Sequence, residues 1–338
     1  MPKVSICVPS YNCGAFVGKT IQSVLDQTCQ DFEIIVVDDC STDNSEVVIK
    51  SFKEPRIRFF KNEKNLGMVQ NTNKALKLAK GDFVGILHPD DYYAPKMVEA
   101  ALDAFHKNPR VGLVYSSYGV VDEYNKIITR VKLCGSDKAI ESKQEFKKLV
   151  IQNYFPPSAV LVRKSCYDDV GTFDEEFPYP NDWNMWLRIS LKYDFACLSD
   201  YLCYYRMHRR SVSTLMYTSF ETAMQEYHML KKFQNKVDHE LSPFVEEGAR
   251  RAAKRALLNS IGGLFTGGRG KALKFFSKAL KLEKKNLIWP VTPVCLFVIL
   301  SGSKGLRTFV KIYKGLPNWA KSVIPFRVPE TLFYKYGL

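Results

Sequence analysis

Two adjacent carboxylates, Asp90 and Asp91, follow the short apolar run Phe83-Val84-Gly85-Ile86-Leu87, with only His88 and Pro89 between. Proline cannot donate to a sheet ladder, so a strand over this run stops there and leaves the pair just past its C-terminal end. In open α/β sheets that edge is where ligands bind. Neighbouring carboxylates repel unless a cation or a solvated loop relieves them. Oxygen-rich side chains on a turn suit Mg2+ or Mn2+, which keeps waters and takes further ligands from phosphate oxygens. The plainer alternative is a solvated turn that caps a helix starting near Pro95.

The elements that must position the pair can be followed along the chain. Val4 to Val8 and Phe32 to Val37 are strand-like apolar runs, ending at the turn cluster Pro9-Ser10-Tyr11-Asn12 and at Asp38-Asp39. Phe16, Thr20, Ile21, Val24 and Leu25 recur at helical spacing between them. A helix near Glu46 to Ser51, a short strand over Ile57 to Phe60, and a helix running from the polar turn Asn62 to Gly67 through Ala79 complete the alternation. Strand followed by helix four times predicts an α/β fold, a mostly parallel sheet with helices on both faces. Such a sheet puts the loops Pro9 to Asn12, Asp38 to Ser45 and His88 to Asp91 on one edge, lining a single cleft.

Beyond the pair, Val111 to Ser116 reads as a strand, Lys126 to Val131 as a hairpin arm and Ser142 to Gln152 as a helix. Ser158 to Arg163 reads as a strand, Lys164 to Val170 as a short helix closed by Gly171, and a further helix begins at or near Asp182. Phe195 to Leu198 and Leu202 to Arg206 suggest two short strands. Residues 218–285 are helical in pattern, with breaks expected near Gly262-Gly263 and from Thr266 to Gly270.

Composition narrows the class. With 46% hydrophobic and 25% charged residues the 338-residue chain is globular, not disordered. Its nine cysteines are scattered, with no CxxC and no zinc spacing, which predicts no disulfide framework and favours a reducing cytosol. The first residues enter a strand at once, without the apolar core of a signal peptide. Residues 241–338 carry 18 Lys and Arg against 4 Asp and Glu, so the whole net charge of +14 lies there and the front of the chain is neutral. That division predicts chemistry in front and an anionic surface for the rear.

Five motifs in order make the chain resemble glycosyltransferase family 2: Pro9-Ser10-Tyr11-Asn12, Ile35 to Asp43 with Asp38-Asp39, Asn65-Leu66-Gly67, Pro89-Asp90-Asp91, and Asn181 to Arg188. The resemblance covers residues 1–215. It implies a GT-A fold and an inverting, metal-dependent transfer from a nucleotide diphosphate sugar, with uridine the preferred base, to a hydroxyl of a glycan or lipid-linked acceptor in cell-surface polysaccharide biosynthesis. Pro9 and Tyr11 would then lie against the base and Asp39 would accept from a base N–H. Asp90 would hold the ribose or the metal shell, and Asp91 would ligate Mn2+ or Mg2+ at the diphosphate. Asp182, flanked by Trp183 and Trp186, would be the base, with an ordinary N-cap as the alternative. Arg206 and His208 would reach the diphosphate or the metal.

The chain also departs from the family pattern. His88 stands where many members have another Asp, Thr72-Asn73 where many have Arg-Asn, and Asn181-Asp182 where many have Glu-Asp. The Gln-x-x-Arg-Trp signature of processive synthases is absent, which predicts single transfers.

Behind the catalytic region the expectation is a helical extension over 216–285 and a basic, aromatic-rich, membrane-associating tail over 286–338. Residues 287–300 are charge-free but too short, and too interrupted by proline, for the ~20-residue span a bilayer needs, so they are expected to form a monotopic or re-entrant element, with a buried core helix as the alternative. Aromatics interleaved with cations through 241–338 suit an anionic membrane surface, so the protein is expected in the cytoplasm, peripheral at the inner face of the cell membrane. Two other classes compete. A nucleotidyltransferase also pairs carboxylates beside a nucleotide, but would need a basic Gly-rich first loop, and Pro9 to Gly14 lacks one. A nucleic-acid binder would confine its phosphate-binding charge to the tail, so no nucleic acid is expected as a partner.

Overall fold

Aliphatic and β-branched runs build the centre of the molecule. The first, β1 (Val4–Ser10), is buried at every position, as is β2 (Phe32–Asp38), and the two pair in parallel with Val8 opposite Val36. In this computed structural model, residues 2–208, 211, 219–283, 292–293 and 295–301 are described. The chain divides into two units, Met1–His208 and Arg209–Leu338.

In the first unit, helices α1 (Val17–Leu25), α2 (Ser45–Ser51) and α3 (Met68–Leu78) alternate with β1, β2, β3 (Ile57–Lys61) and β4 (Phe83–Ile86). Then follow β5 (Tyr92–Tyr93), α4 (Met97–Lys107), β6 (Val111–Val121), β7 (Ile127–Val131), β8 (Lys138–Ile140) and α5 (Ser142–Leu149). β9 (Val160–Arg163), α6 (Lys164–Val170), α7 (Asn181–Ser190) and β10 (Asp194–Arg206) complete it. The sheet order is β3-β2-β1-β4-β9-β6-β10-β5, with β7 on β6 and β8 on β10. β1, β2, β3 and β4 run parallel, and β6 runs parallel to β10, while β9 lies antiparallel between β4 and β6. Periodicity accounts for the layers: Val17, Ile21 and Val24 of α1 and Val98, Ala101 and Phe105 of α4 pack on Ile6, Ile34 and Leu161 in one core.

Two expectations are corrected. The two short strands over 195–206 are one 13-residue strand, β10, and the polar Ser199-Asp200 step is absorbed as register shifts against β6. The cysteines are not all free: Cys134 and Cys197 form a disulfide, 63 residues apart, while the seven others are unpaired. A lone pair at that separation leaves no spacing motif in the sequence.

The second unit contains α8 (Phe220–Phe233), α9 (Ser242–Asn259) and α10 (Gly263–Leu282). Gly268 adopts φ +72°, and Gly263 lies against the backbone of Ala272, so the chain folds back within α10, inside the span where a break was expected. Phe220, Leu257, Phe276, Cys295, Val298 and Ile299 share a core. Lys271, Lys274, Lys278 and Lys281 are exposed at helical spacing along α10. On 295–301, Phe297 is 64% and Leu300 54% exposed. Among the described residues no helix is long and apolar enough to cross a membrane. The rest of the expected membrane-associating tail, 286–338, lies outside the described residues, Trp289 included.

Candidate active site

The parallel ladder ends where Leu87 N–H donates to Cys7 O at 2.9 Å, and the next four residues turn away from the sheet. His88, Asp90 and Asp91 each offer one ligand atom within 4.8 Å of the others. Asp91 is 1% exposed. Its Oδ1 accepts from the backbone N–H of Arg206 at 2.7 Å, and its Oδ2 accepts from Ser158 Oγ at 2.5 Å. Ser158 Oγ in turn accepts from His88 N–H at 3.1 Å, so one hydroxyl fixes both ends of the turn. Burial first, and the neighbouring Asp90 second, push the Asp91 carboxyl well above its ordinary range. A cation among these three residues would relieve that repulsion, and an imidazole with two carboxylates is a donor set that divalent ions accept. The cluster therefore fits the expected metal.

His208 joins it: its Nε2 lies 3.0 Å from Asp90 Oδ2, and its ring packs against Phe16. Arg206 takes another place than expected. It is 2% exposed, and its guanidinium donates to Asp90 O at 2.7 Å, to the carbonyls of Asp122 and Glu123, and to Asn125 Oδ1. The fork that sequence aimed at a diphosphate thus holds the backbone of the Asp90-Asp91 turn. Signals for Ser158 were absent from the sequence, where it is a plain Ser after two prolines.

The opposite side of the sheet edge is built by β1 and β2. Pro9 is buried in β1 opposite Val37, whereas Tyr11 is 48% exposed at the rim. The loops after the two strands are stitched together. Asn12 N–H donates to Ser41 Oγ, Asn12 Oδ1 accepts from Thr42 N–H, and Gly14 N–H donates to Asp43 Oδ2. A side chain at Gly14 would collide with Asn44, so this close approach requires glycine. Asp43, not Asp39, accepts from Ser45 N–H at the start of α2. Asp39 is 2% exposed and gathers three N–H donors: Asn62 Nδ2 at 2.7 Å and Leu66 N at 2.8 Å on Oδ1, Gly67 N at 2.9 Å on Oδ2. Gly67 has φ +86°, which explains the glycine of Asn65-Leu66-Gly67.

Asp182 is the second residue of α7 and is half-buried. Oδ1 accepts from Trp183 N–H at 2.7 Å, and Oδ2 accepts from Asn153 Nδ2 at 3.0 Å. Burial pushes its carboxyl above the ordinary range, with the Trp183 N–H, the His88 ring and the Asn153 amide pulling back. Asn73, where many members place the second residue of Arg-Asn, exchanges two 2.9 Å bonds with the backbone of Phe173 and ties α3 to the segment before α7.

A family model for "Glycosyl transferase family 2" matches residues 5–171. The Escherichia coli glucosyltransferase WfaP, named for transfer from UDP-Glc to α-D-GlcNAc-diphosphoundecaprenol, is 30% identical over 244 residues, which are 71% of this chain and 90% of that protein. The chain belongs to glycosyl transferase family 2. Chondroitin synthase of Escherichia coli is 29% identical over 61% of the chain, but the match spans only 29% of that longer protein's length. Solved glycosyltransferases share the GT-A fold. TarS 1–349 of S. aureus in complex with UDP-GlcNAc aligns with a TM-score of 0.57 at 18% identity, covering 84% of this chain and 92% of that one. The mannosyltransferase PcManGT of Pyrobaculum calidifontis, in complex with GDP-Man and Mn2+, aligns at 0.56 and 19% identity, covering 89% and 86%. At these identities the likeness is one of fold. In this family 2 glycosyltransferase Pro9, Asp39, Asp90 and Asp91 lie at or just past the ends of the parallel strands β1, β2 and β4, and Asp182 lies on α7.

Proposed function

We propose that this family 2 glycosyltransferase is an inverting, metal-dependent enzyme. It moves single sugars from a nucleoside diphosphate sugar, a UDP-sugar in preference, to a hydroxyl of a glycan or lipid-linked acceptor in cell-surface polysaccharide synthesis. The observation that carries the reading is the cluster of His88, Asp90 and Asp91 at the sheet edge, beside which the half-buried start of α7 supplies Asp182, its carboxyl raised by burial. The activity for which WfaP is named supports the donor and the lipid-linked acceptor, and the ligands of the two solved neighbours support a nucleotide sugar and Mn2+.

Tyr11 offers its ring to the base, with Pro9 as the floor beneath. Asp39 accepts a base N–H: a carboxylate has about four lone-pair sites, and three are taken by Asn62, Leu66 and Gly67. His88, Asp90, Asp91 and His208 would hold the ion, and the imidazoles would favour Mn2+ over Mg2+, which prefers oxygen ligands throughout. A divalent ion held there would supply positive charge to offset that building on the departing diphosphate. Arg206 serves the donor site through the Asp90 carbonyl it holds.

Asp182 takes the proton of the acceptor hydroxyl as that oxygen attacks the anomeric carbon from the face opposite the diphosphate. The bond from the anomeric carbon to the diphosphate oxygen breaks, the nucleoside diphosphate leaves with its electrons, and the configuration inverts. A lipid-linked acceptor brings the enzyme to the inner face of the cell membrane. The positive charge of 241–338, with the exposed Lys271 to Lys281 stripe, Phe297 and Leu300, suits an anionic leaflet.

The test is a screen of UDP-, GDP- and other nucleotide sugars with Mn2+, read as release of nucleoside diphosphate. Release from one donor class, abolished by chelation, is expected. Release of sugar 1-phosphate instead would replace this reading with nucleotidyl transfer.

A further inference from the structure

Between β6 and β7 the chain turns at Asp122 to Lys126, and every residue from Glu123 to Arg130 is exposed. Three large apolar side chains stand on this tip: Tyr124 is 81%, Ile128 57% and Ile127 41% exposed. Elsewhere among the described residues of the first unit, the exposed large apolar side chains are Tyr11 and Met68, next to site motifs, and Val47, alone on α2. Single exposed apolar residues are ordinary, whereas a cluster marks a surface that meets something apolar.

The tip is not loose. Asp122 Oδ1 accepts from the N–H groups of Tyr124 and Lys126, both at 2.9 Å, and Asp122 N–H donates to Lys126 O at 3.0 Å. Asn125 closes the turn at φ +69°, and its Oδ1 accepts from Lys19 Nζ and from Arg206 Nη2, each at 2.8 Å. Arg206 also donates to the carbonyls of Asp122 and Glu123, so the turn is moored to α1 and to the end of β10. The apolar side chains are therefore held out on a rigid support, which lowers the ordering cost of binding.

Cations lie behind the tip. The Arg130 guanidinium is 5.7 Å and Lys132 Nζ 5.5 Å from the centroid of the Tyr201 ring. Among the described residues, Lys126, Arg130 and Lys132 form no ion pair. Asp122 is spent inside the turn, which leaves Glu123 against three cations. A strand rises about 3.4 Å per residue, so Arg130 sits roughly 7 Å and Lys132 roughly 14 Å behind Ile128. An interfacial element buries its apolar part about 5–10 Å at the boundary of headgroups and acyl chains. The spacing thus suits Ile127 and Ile128 in that boundary and Arg130 and Lys132 at anionic headgroups, with Lys126 reaching back along its stem. A protein partner adding a strand is disfavoured, because β7 is bulged beside Ile127 and carries Arg130 at its edge.

We propose that the β6–β7 hairpin is a membrane-docking tip of the catalytic unit, inserting Tyr124, Ile127 and Ile128 into an anionic bilayer surface. This contact is separate from the one assigned to residues 241–338, and its use to the enzyme rests on the acceptor being lipid-linked. Arg206 holds both the hairpin turn and the Asp90 carbonyl, so docking of the tip sets the carboxylate turn at a fixed height over the headgroups, where such an acceptor presents its hydroxyl.

The full chain is sedimented with vesicles of phosphatidylcholine alone and of phosphatidylcholine with phosphatidylglycerol, at low and high salt. The variants are the triple Tyr124→Ser, Ile127→Ser, Ile128→Ser and the double Arg130→Gln, Lys132→Gln. Melting temperature and donor hydrolysis with Mn2+ are read on each and are expected to hold. The triple is expected to bind anionic vesicles at least tenfold less at both salt concentrations, since salt does not screen apolar burial. The double is expected to bind at least tenfold less at low salt, with the difference shrinking at high salt. A photoactivatable phosphatidylglycerol should leave adducts on peptide 122–132 of the parent. Parental binding by the triple, or adducts confined to 241–338, overturns the docking tip and leaves glycosyl transfer standing. Adducts on the tip of a parent that hydrolyses no nucleotide sugar overturn the transferase reading and leave the tip standing.

Discussion

Arg206 and Asp91 meet across 115 residues: the backbone N–H of the arginine donates to Oδ1 of the aspartate at 2.7 Å, while the arginine side chain holds the carbonyl of Asp90. The end of β10 therefore shapes the carboxylate turn that follows β4.

From this we expect Arg206→Lys to act on stability first. A lysine keeps the charge but cannot reach four oxygen partners at once. A loss of about 2 kcal/mol is expected, since it strands buried carbonyls. For a unit of this size that is a fall of roughly 4–8 °C in melting temperature. Donor affinity should weaken alongside. A variant with weakened donor binding and an unchanged melting curve would place the guanidinium on the diphosphate instead.

Asp90 is expected to be the replaceable member of the carboxylate pair. Asp90→Asn should weaken Mn2+ binding at least tenfold by calorimetry while the melting temperature holds, because only His208 engages that side chain among the described contacts. Asp91→Asn should lose metal and stability together, since one of its two oxygens becomes an NH2 facing a donor, Arg206 N–H or the Ser158 hydroxyl. Equal Mn2+ affinity in the parent and both variants would remove the metal from this turn.

Asp182 must be ionised to accept a proton, and burial raises its carboxyl above the ordinary ~3.9. The sign follows: kcat is lost as pH falls through the raised value and is fully present above it. At saturating Mn2+ the acidic limb should lie above the usual aspartate range. Asp182→Asn should reduce transfer by about 10²–10⁴-fold with donor binding nearly intact. A variant keeping more than about a tenth of the parental rate excludes Asp182 as the base.

The membrane reading predicts that reversing charge along α10 matters more than its burial suggests. Lys271→Glu, Lys274→Glu and Lys278→Glu together should weaken co-sedimentation with anionic vesicles more than tenfold at low salt, at about 1 kcal/mol per lysine near the surface. Donor hydrolysis should be unaffected. Unchanged sedimentation, or equal binding of the parent to neutral and anionic vesicles, counts against an electrostatic membrane surface.

The parallel half of the fold was legible because each strand there is an apolar run closed by a turn cluster, and a parallel sheet puts all such ends on one edge. The candidate site was legible where local chemistry is loud: Asp90-Asp91 after Pro89, the turn motif Asn65-Leu66-Gly67, Asp182 at the start of a helical stripe. What escaped depends on partners far away in sequence. Asn153 and Ser158 bear no local mark, and their meaning comes from residues 29 and 67 positions away. Arg206 was read as a ligand for phosphate because sequence shows a residue's type and not the direction it faces. The antiparallel insertion of β9, the unbroken β10 and the Cys134–Cys197 bond were hidden for the same reason.

The dependence of Asp91 on Ser158 and Arg206 also orders the making of the protein. The strand that carries the carboxylates leaves the ribosome long before the hydroxyl and the N–H that align them, and at synthesis rates of about 5–20 residues per second the delay is several seconds. Until β10 emerges, Asp91 lacks one of its two donors, so a nascent or prematurely ended chain retains the motif without a formed ion cradle. The two bonds that align Asp91 are thus complete only when the last strand of the sheet has been made.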